Sequence, residues 1–329
     1  MVTINPSLML RTYGRRMISL VSLVVLTGGI FYFMIKGIVQ EWSTLSCYSW
    51  SVDWCALIFS LVLSVLALGL GIKAAHELCC SLGGRVAFHR FAYIFSLSQL
   101  GRYLPGRLWH MVGFAVLLQR EQVKPSVSLL LPFIYQGAVI GVFISIGIAL
   151  CGPAAAEMLF PTAAWLAYLF AIVPIIVILL LPFLFSLVKR FGKAKIGYLR
   201  IGSLRKRRYY QAIGFILLSG LGFAASLEIF AFSLFEEVMN HAFYVGGSFL
   251  VAYVAGWLVF VTPGGLGVRE GVLASMLSVW IPSGFSNIIA IGDRCLMTVA
   301  EIVLLVGIVV MSRWRGKKNT IYTMMRKRG

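Results

Sequence analysis

Apolar residues run along this chain in long blocks, and polar residues gather in the short stretches between them. Six blocks, at 17–35, 54–72, 127–150, 163–188, 209–234 and 287–311, are predominantly apolar. Each is long enough, at about 20 residues or more, to cross roughly 30 Å of hydrocarbon as a helix. Apolar and polar positions do not alternate within them, which excludes the strands of a membrane β-barrel. The pattern predicts an all-α polytopic integral membrane protein.

Two further apolar blocks are interrupted by Pro-Gly. The first, 90–119, breaks at Pro105 and Gly106. Its arms are about 12 residues each, or ~18 Å of helix, too short to span. A re-entrant hairpin that dips in and returns is the expected solution. The second, 243–281, carries "VTPGGLGVREG" between two loops without Lys or Arg. Its first arm, about 19 residues, is also long enough to cross, so six spans with two re-entrant hairpins and eight spans both fit the pattern. With hairpins, the chain 1–329 is a single membrane domain of two halves, 1–155 and 156–329, each built as span, span, broken hairpin, span. The halves have opposite orientation, the inverted-repeat plan of secondary transporters, in which discontinuous helices meet near the midplane.

Composition agrees: 60% of residues are hydrophobic, 12% are charged and the mean hydropathy is +0.92. The net charge of +18 does not indicate a nucleic-acid partner, because the basic residues sit between spans and at both termini, as the positive-inside rule requires. With both termini cytoplasmic, the inner segments collect Arg11, Arg15, Arg16, Lys73, Arg85, Arg90, Arg120, Lys124, the run from Lys189 to Arg208 and the tail from Arg313 to Arg328; the outer loops hold only Lys36. Cys47 and Cys55 fall in the first outer loop, where a disulfide and two free thiols are both open. His and Cys residues show no metal-ligand spacing and no nucleotide-binding loop is present, so no metal or cofactor is expected.

Breaking a helix inside a bilayer exposes backbone N–H groups, and a helix N-terminus favours anions. Arg102 and Arg107 flank the first break and Arg269 lies in the second, adding positive charge in the planar geometry that suits phosphate. The expected substrate-binding set is therefore Arg102, Tyr103, Pro105, Gly106 and Arg107 with Pro263, Gly264, Gly265, Gly267, Arg269 and Glu270. The competing reading is that the breaks only shape a tight helix crossing while the arginines snorkel to headgroups. Glu270 is expected either to cap the following half-helix or to orient Arg269.

Charges within spans are costly, about 2.5–3.5 kcal/mol each, and need partners. Arg294 and Glu301 lie two turns apart on one face of the last span, and Asp293 can pair locally or face the second hairpin. Glu228 stands alone in the fifth span, as a water-reached carboxylate or a proton-coupling site. Gln136, Glu77 and His110 are assigned helix-packing or interfacial roles.

"GRYLPGRLW" and "TPGGLGVREG" resemble motifs of the lysylphosphatidylglycerol synthase transmembrane region. The matching positions are Tyr103, Pro105 and Gly106, then Pro263, Gly264, Gly265, Gly267 and Glu270, then Arg294 in the last span. The resemblance implies a flippase-like membrane domain in a bacterial inner (cytoplasmic) membrane, moving an anionic phospholipid or an isoprenoid-phosphate-linked sugar. The soluble lysyl-transfer domain of the two-domain synthases has no counterpart in these 329 residues. Other expectations are an integral-membrane transferase, or an assembly subunit that recruits glycosyltransferases through its basic loop.

Overall fold

The computed structural model describes residues 51–103, 109–159, 165–191, 204–259 and 265–326, with isolated positions at 32–46 and at 162; the side chains of 103, 154–159, 184–191, 237, 239 and 313–326 are not among those described. The first expected span at 17–35, Cys47, and most of the basic run from Lys189 to Arg208 lie largely outside this set.

Every described element is helical: α1 (Trp54–Ser81), α2 (Phe88–Gln99), a 3-10 turn (Leu100–Tyr103), α3 (Trp109–Arg120), α4 (Pro125–Leu159), α5 (Trp165–Phe191), α6 (Lys206–Leu234), a second 3-10 turn (Glu236–His241), α7 (Ala242–Leu258), α8 (Val268–Leu277) and α9 (Ser283–Arg326). Five of them, α1, α4, α5, α6 and α9, are long and apolar enough to cross a membrane. This is the build of a multi-pass all-α membrane protein. Its outer faces carry exposed Phe59, Leu66, Phe170, Ile176 and Ile302, as expected where the surrounding solvent is hydrocarbon.

The closest pairing is α1 with α6, antiparallel. Small residues make it possible. Ser60 Oγ donates to the Ser226 carbonyl at 3.0 Å and Ser226 Oγ returns a bond to the Ser60 carbonyl at 2.9 Å. Ser219 Oγ donates to the Ala67 carbonyl at 2.7 Å. Between lipid-facing helices there is no hydrophobic drive to associate, so close backbone approach and interhelical hydrogen bonds hold the pair. At one end the pair is closed by Glu77, which bonds Lys73 at 2.7 Å and Arg208 at 2.8 Å. The packing role expected of Glu77 is therefore an ionic one. At the other end the Asp53 carboxylate caps α1, accepting from the Cys55 and Ala56 N–H groups at 2.9 and 3.1 Å.

Both broken segments fold back on themselves. α2 and α3 have 12 residues each, about 18 Å of helix, and Arg90 at the start of α2 reaches Glu121 just after α3 at 3.0 Å. α7 has 17 residues and α8 only 10, so α8 reaches about 15 Å, half the hydrocarbon thickness. The Tyr244 hydroxyl near the start of α7 donates to the Met276 carbonyl near the end of α8 at 3.2 Å, and His241 stacks on Trp280 at 4.2 Å. α9 packs on α2 of the first fold-back, and α4 packs on α7 of the second. Interchanging α1 with α6, α4 with α9 and one fold-back with the other leaves this set of neighbours unchanged.

Candidate functional site: an arginine-lined chamber

The tip of the second fold-back shows why its sequence is glycine-rich. Gly265 and Gly267 have φ of +72° and +85°, backbone that L-residues with a β-carbon rarely adopt. A β-carbon on Gly265 would stand 2.8 Å from the Gly256 carbonyl oxygen, so the backbone at Gly265 packs tightly against α7. The reversal delivers Arg269 and Glu270 into the first turn of α8.

Arg269 and Glu270 are adjacent in sequence, yet each turns to a different residue of α9. Neighbours on a helix point about 100° apart. Arg269 pairs with Asp293 and lies over the Phe249 ring, its guanidinium 4.7 Å from the ring centre. Glu270 Oε2 accepts the Gly267 N–H at 2.7 Å, and Oε1 stands 3.5 Å from Arg294. Of the two roles considered for Glu270, capping is present in the geometry. The charge it faces is Arg294 rather than Arg269. The Gly267 N–H, one of the backbone donors expected to meet an anion, is thereby already satisfied. Asp293 faces the second fold-back, one of the two arrangements its position allowed.

The first fold-back arrives at the same helix lower down. Arg102, in the 3-10 turn after α2, pairs with Glu301 at 3.2 Å and donates through Nε to the Gln99 carbonyl at 3.3 Å. Arg294 and Glu301, placed on one face by their spacing, thus serve different fold-backs. α9 is the common post against which both breaks are fastened. Pro105, Gly106, Arg107, Pro263 and Gly264 lie outside the described residues, as does the side chain of Tyr103.

Between these elements lies a chamber of about 360 Å³. Its polar end is formed by Gln99, Arg102, Gln136, Tyr253, Arg269 and Glu301, and its apolar walls come from α1, α4, α6 and α9. A smaller lobe of about 60 Å³ adjoins the same residues and adds His110, Trp257 and Arg294. Arg102 and Arg269 therefore face both spaces and Arg294 the smaller one, each paired with a carboxylate: Glu301, Asp293 and Glu270 in turn. The pairs are unequal: the Arg269–Asp293 side chains are 9% and 3% exposed, whereas those of Arg102–Glu301 are 27% and 24% exposed.

The sequence gives Gln136 and His110 helix-packing or interfacial roles; the structure puts both on the wall of this space. Gln136 is buried, and its Nε2 has no hydrogen-bond partner among the described residues. A buried donor left open costs about 1–3 kcal/mol, so an amide in a span was the signal to weigh. Glu228 is not part of the chamber. Its carboxylate rests against α7, where a β-carbon on Gly246 would stand. Among the described residues no group of three or more His, Cys, Asp or Glu side chains comes together to hold a metal.

No protein-family model matches this chain, and no curated protein matches it.

Proposed function

We propose that this protein is a flippase-type transporter of an anionic lipid, with the lipid phosphate bound where the two broken segments meet. The observation that carries the reading is the convergence of Arg102 and Arg269 on one chamber that is polar at one end and apolar along its walls, with Arg294 on the small space beside it. An amphiphile with an anionic head has that profile. Irregular backbone at membrane depth is tolerated where protein or a cavity surrounds it, and Arg102 and Arg269, which flank the two breaks, line this cavity. The matching neighbour sets of the two halves support an inverted-repeat plan, with α2–α3 and α7–α8 as re-entrant hairpins and the halves rocking about the site. The reading agrees with the resemblance of the two Pro-Gly motifs to the lysylphosphatidylglycerol synthase transmembrane region. The cargo class is a phospholipid or an isoprenoid-phosphate-linked sugar, and the membrane is a bacterial inner membrane.

Native mass spectrometry of the protein extracted with its surrounding lipid tests the class. A lipid phosphate retained by the wild-type protein and lost from Arg102→Gln is the expected result. A retained nucleotide sugar in its place would move the protein to the transferases.

In the proposed orientation both termini are cytoplasmic and Cys55, exposed at the start of α1, faces outward. A membrane-impermeant maleimide is expected to label Cys55 in intact cells and to reach the half-buried Cys80 only after permeabilisation. The reverse order of labelling would invert the topology.

A further inference from the structure

The chamber itself speaks to the cargo's hydrocarbon, a point that rests on the lipid reading above. Leu68 and Ile72 of α1, Val139 and Phe143 of α4, Phe223 of α6 and Leu305 of α9 wall its apolar part. Ser96 Oγ and Gln136 Nε2 border the same space without partners among the described residues, so hydrogen-bonding capacity is left open at the end where Arg102 stands. The space reaches the outer surface. Leu100 and Ile302 both line it, yet they are 49% and 55% exposed on the lipid-facing surface. A hydrocarbon chain can therefore enter from the bilayer between the first fold-back and α9 without crossing water.

Volume limits what enters. At about 30 Å³ per water-sized group, the chamber of about 360 Å³ takes about a dozen heavy-atom groups. That is one chain of about ten carbons beside part of a headgroup. Two ten-carbon chains side by side would need about 600 Å³.

We propose that the chamber is a single-chain subsite: the protein takes a phosphate-headed amphiphile that lodges one alkyl or prenyl chain between α1, α4, α6 and α9, with its phosphate against Arg102 and the Gln136 amide. The tail thus travels inside the protein for its first ten carbons, and any remaining hydrocarbon leaves through the gap between Leu100 and Ile302.

The test is a chain-length series, from hexyl to hexadecyl phosphate, bound at fixed pH to the full-length protein held in amphipol so that no bilayer competes. Affinity is expected to rise about threefold to fourfold per methylene up to about the decyl chain and to flatten beyond it. Leu68→Trp and Thr298→Phe fill the chamber from different helices and are expected to move the flattening to shorter chains; if one fails to fold, the other still reports. Arg102→Gln is expected to lower affinity by about tenfold or more at every length and to leave the slope unchanged. A rise that continues unbroken to hexadecyl, or an affinity no better than that of inorganic phosphate at any length, overturns the single-chain subsite while leaving an anion site in place. Failure of folded wild-type protein to bind any member of the series or inorganic phosphate overturns the phosphate-site reading as well.

Discussion

Arg269→Gln is expected to destabilise the protein by about 3–5 kcal/mol, the usual cost of leaving one partner of a buried ion pair uncompensated. Asp293 is 2% exposed and loses the guanidinium donor that Arg269 brings to it across the α8–α9 contact. The Phe249 ring loses the cation above it. The reciprocal variant, Asp293→Asn, is expected to cost a comparable amount, because a guanidinium 9% exposed is then left unmatched. Replacing both residues by apolar ones of similar volume, Arg269→Met with Asp293→Leu, is expected to recover most of the loss, since buried pairs give back in attraction roughly what they lose in desolvation. Equilibrium unfolding in mixed micelles, compared across the four proteins, reads the outcome. A double variant no more stable than the single ones would show that the pair contributes more than it costs.

Arg102→Gln is expected to behave in the opposite way, with a large loss of transport and a small loss of stability. Its pair with Glu301 is roughly one-quarter exposed on each side, and part-exposed pairs contribute about 0–1 kcal/mol. A charge-assisted hydrogen bond to phosphate is worth about 1.5–3 kcal/mol, so lipid binding is expected to weaken about 10-fold to 100-fold. Arg102→Lys should restore part of it, because the ammonium keeps the charge without the planar fork. Reconstituted vesicles carrying a fluorescent anionic lipid, scored by the fraction reached by an impermeant quencher, measure the transport arm, and thermal unfolding measures the other. Normal transport by folded Arg102→Gln would remove this arginine from the phosphate site.

The contrast between these two arginines was not visible in the motif. Both lie beside a Pro-Gly break, and by sequence both suit phosphate on equal terms. Arg269 is boxed in by α7, where a β-carbon on Gly256 would stand 2.7 Å from its own Cβ, and by the carboxylate on α9. Arg102 sits on an irregular turn at the edge of the chamber, with a partner that an incoming anion can replace. Both still border the chamber, so the division is one of degree of burial. Glu270 gives a similar lesson. A carboxylate three residues after Gly267 suits a helix start in any context, and that local role is the one it fills, at 2.7 Å from the Gly267 N–H.

What could be read from the chain alone was what depends on neighbours in sequence. Membrane-length apolar helices and the two breaks follow from hydropathy and backbone sterics within a few residues, and capping is one of the two roles that the position of Glu270 allows. Which buried charge meets which is a different kind of question. Arg102 with Glu301, Arg269 with Asp293 and Glu77 with Arg208 are joined by the packing of separate helices, and a helical pattern fixes only the face a residue occupies, not the helix that will cover it. The chamber is further removed still, since its walls come from α1, α4, α6, α7 and α9 together with the first fold-back. Gln136 looked like a packing residue because, in a span read by itself, an amide has no stated neighbour. Only when α4 is set against both fold-backs does its open donor border a cavity, because a void is defined by the helices that fail to fill it.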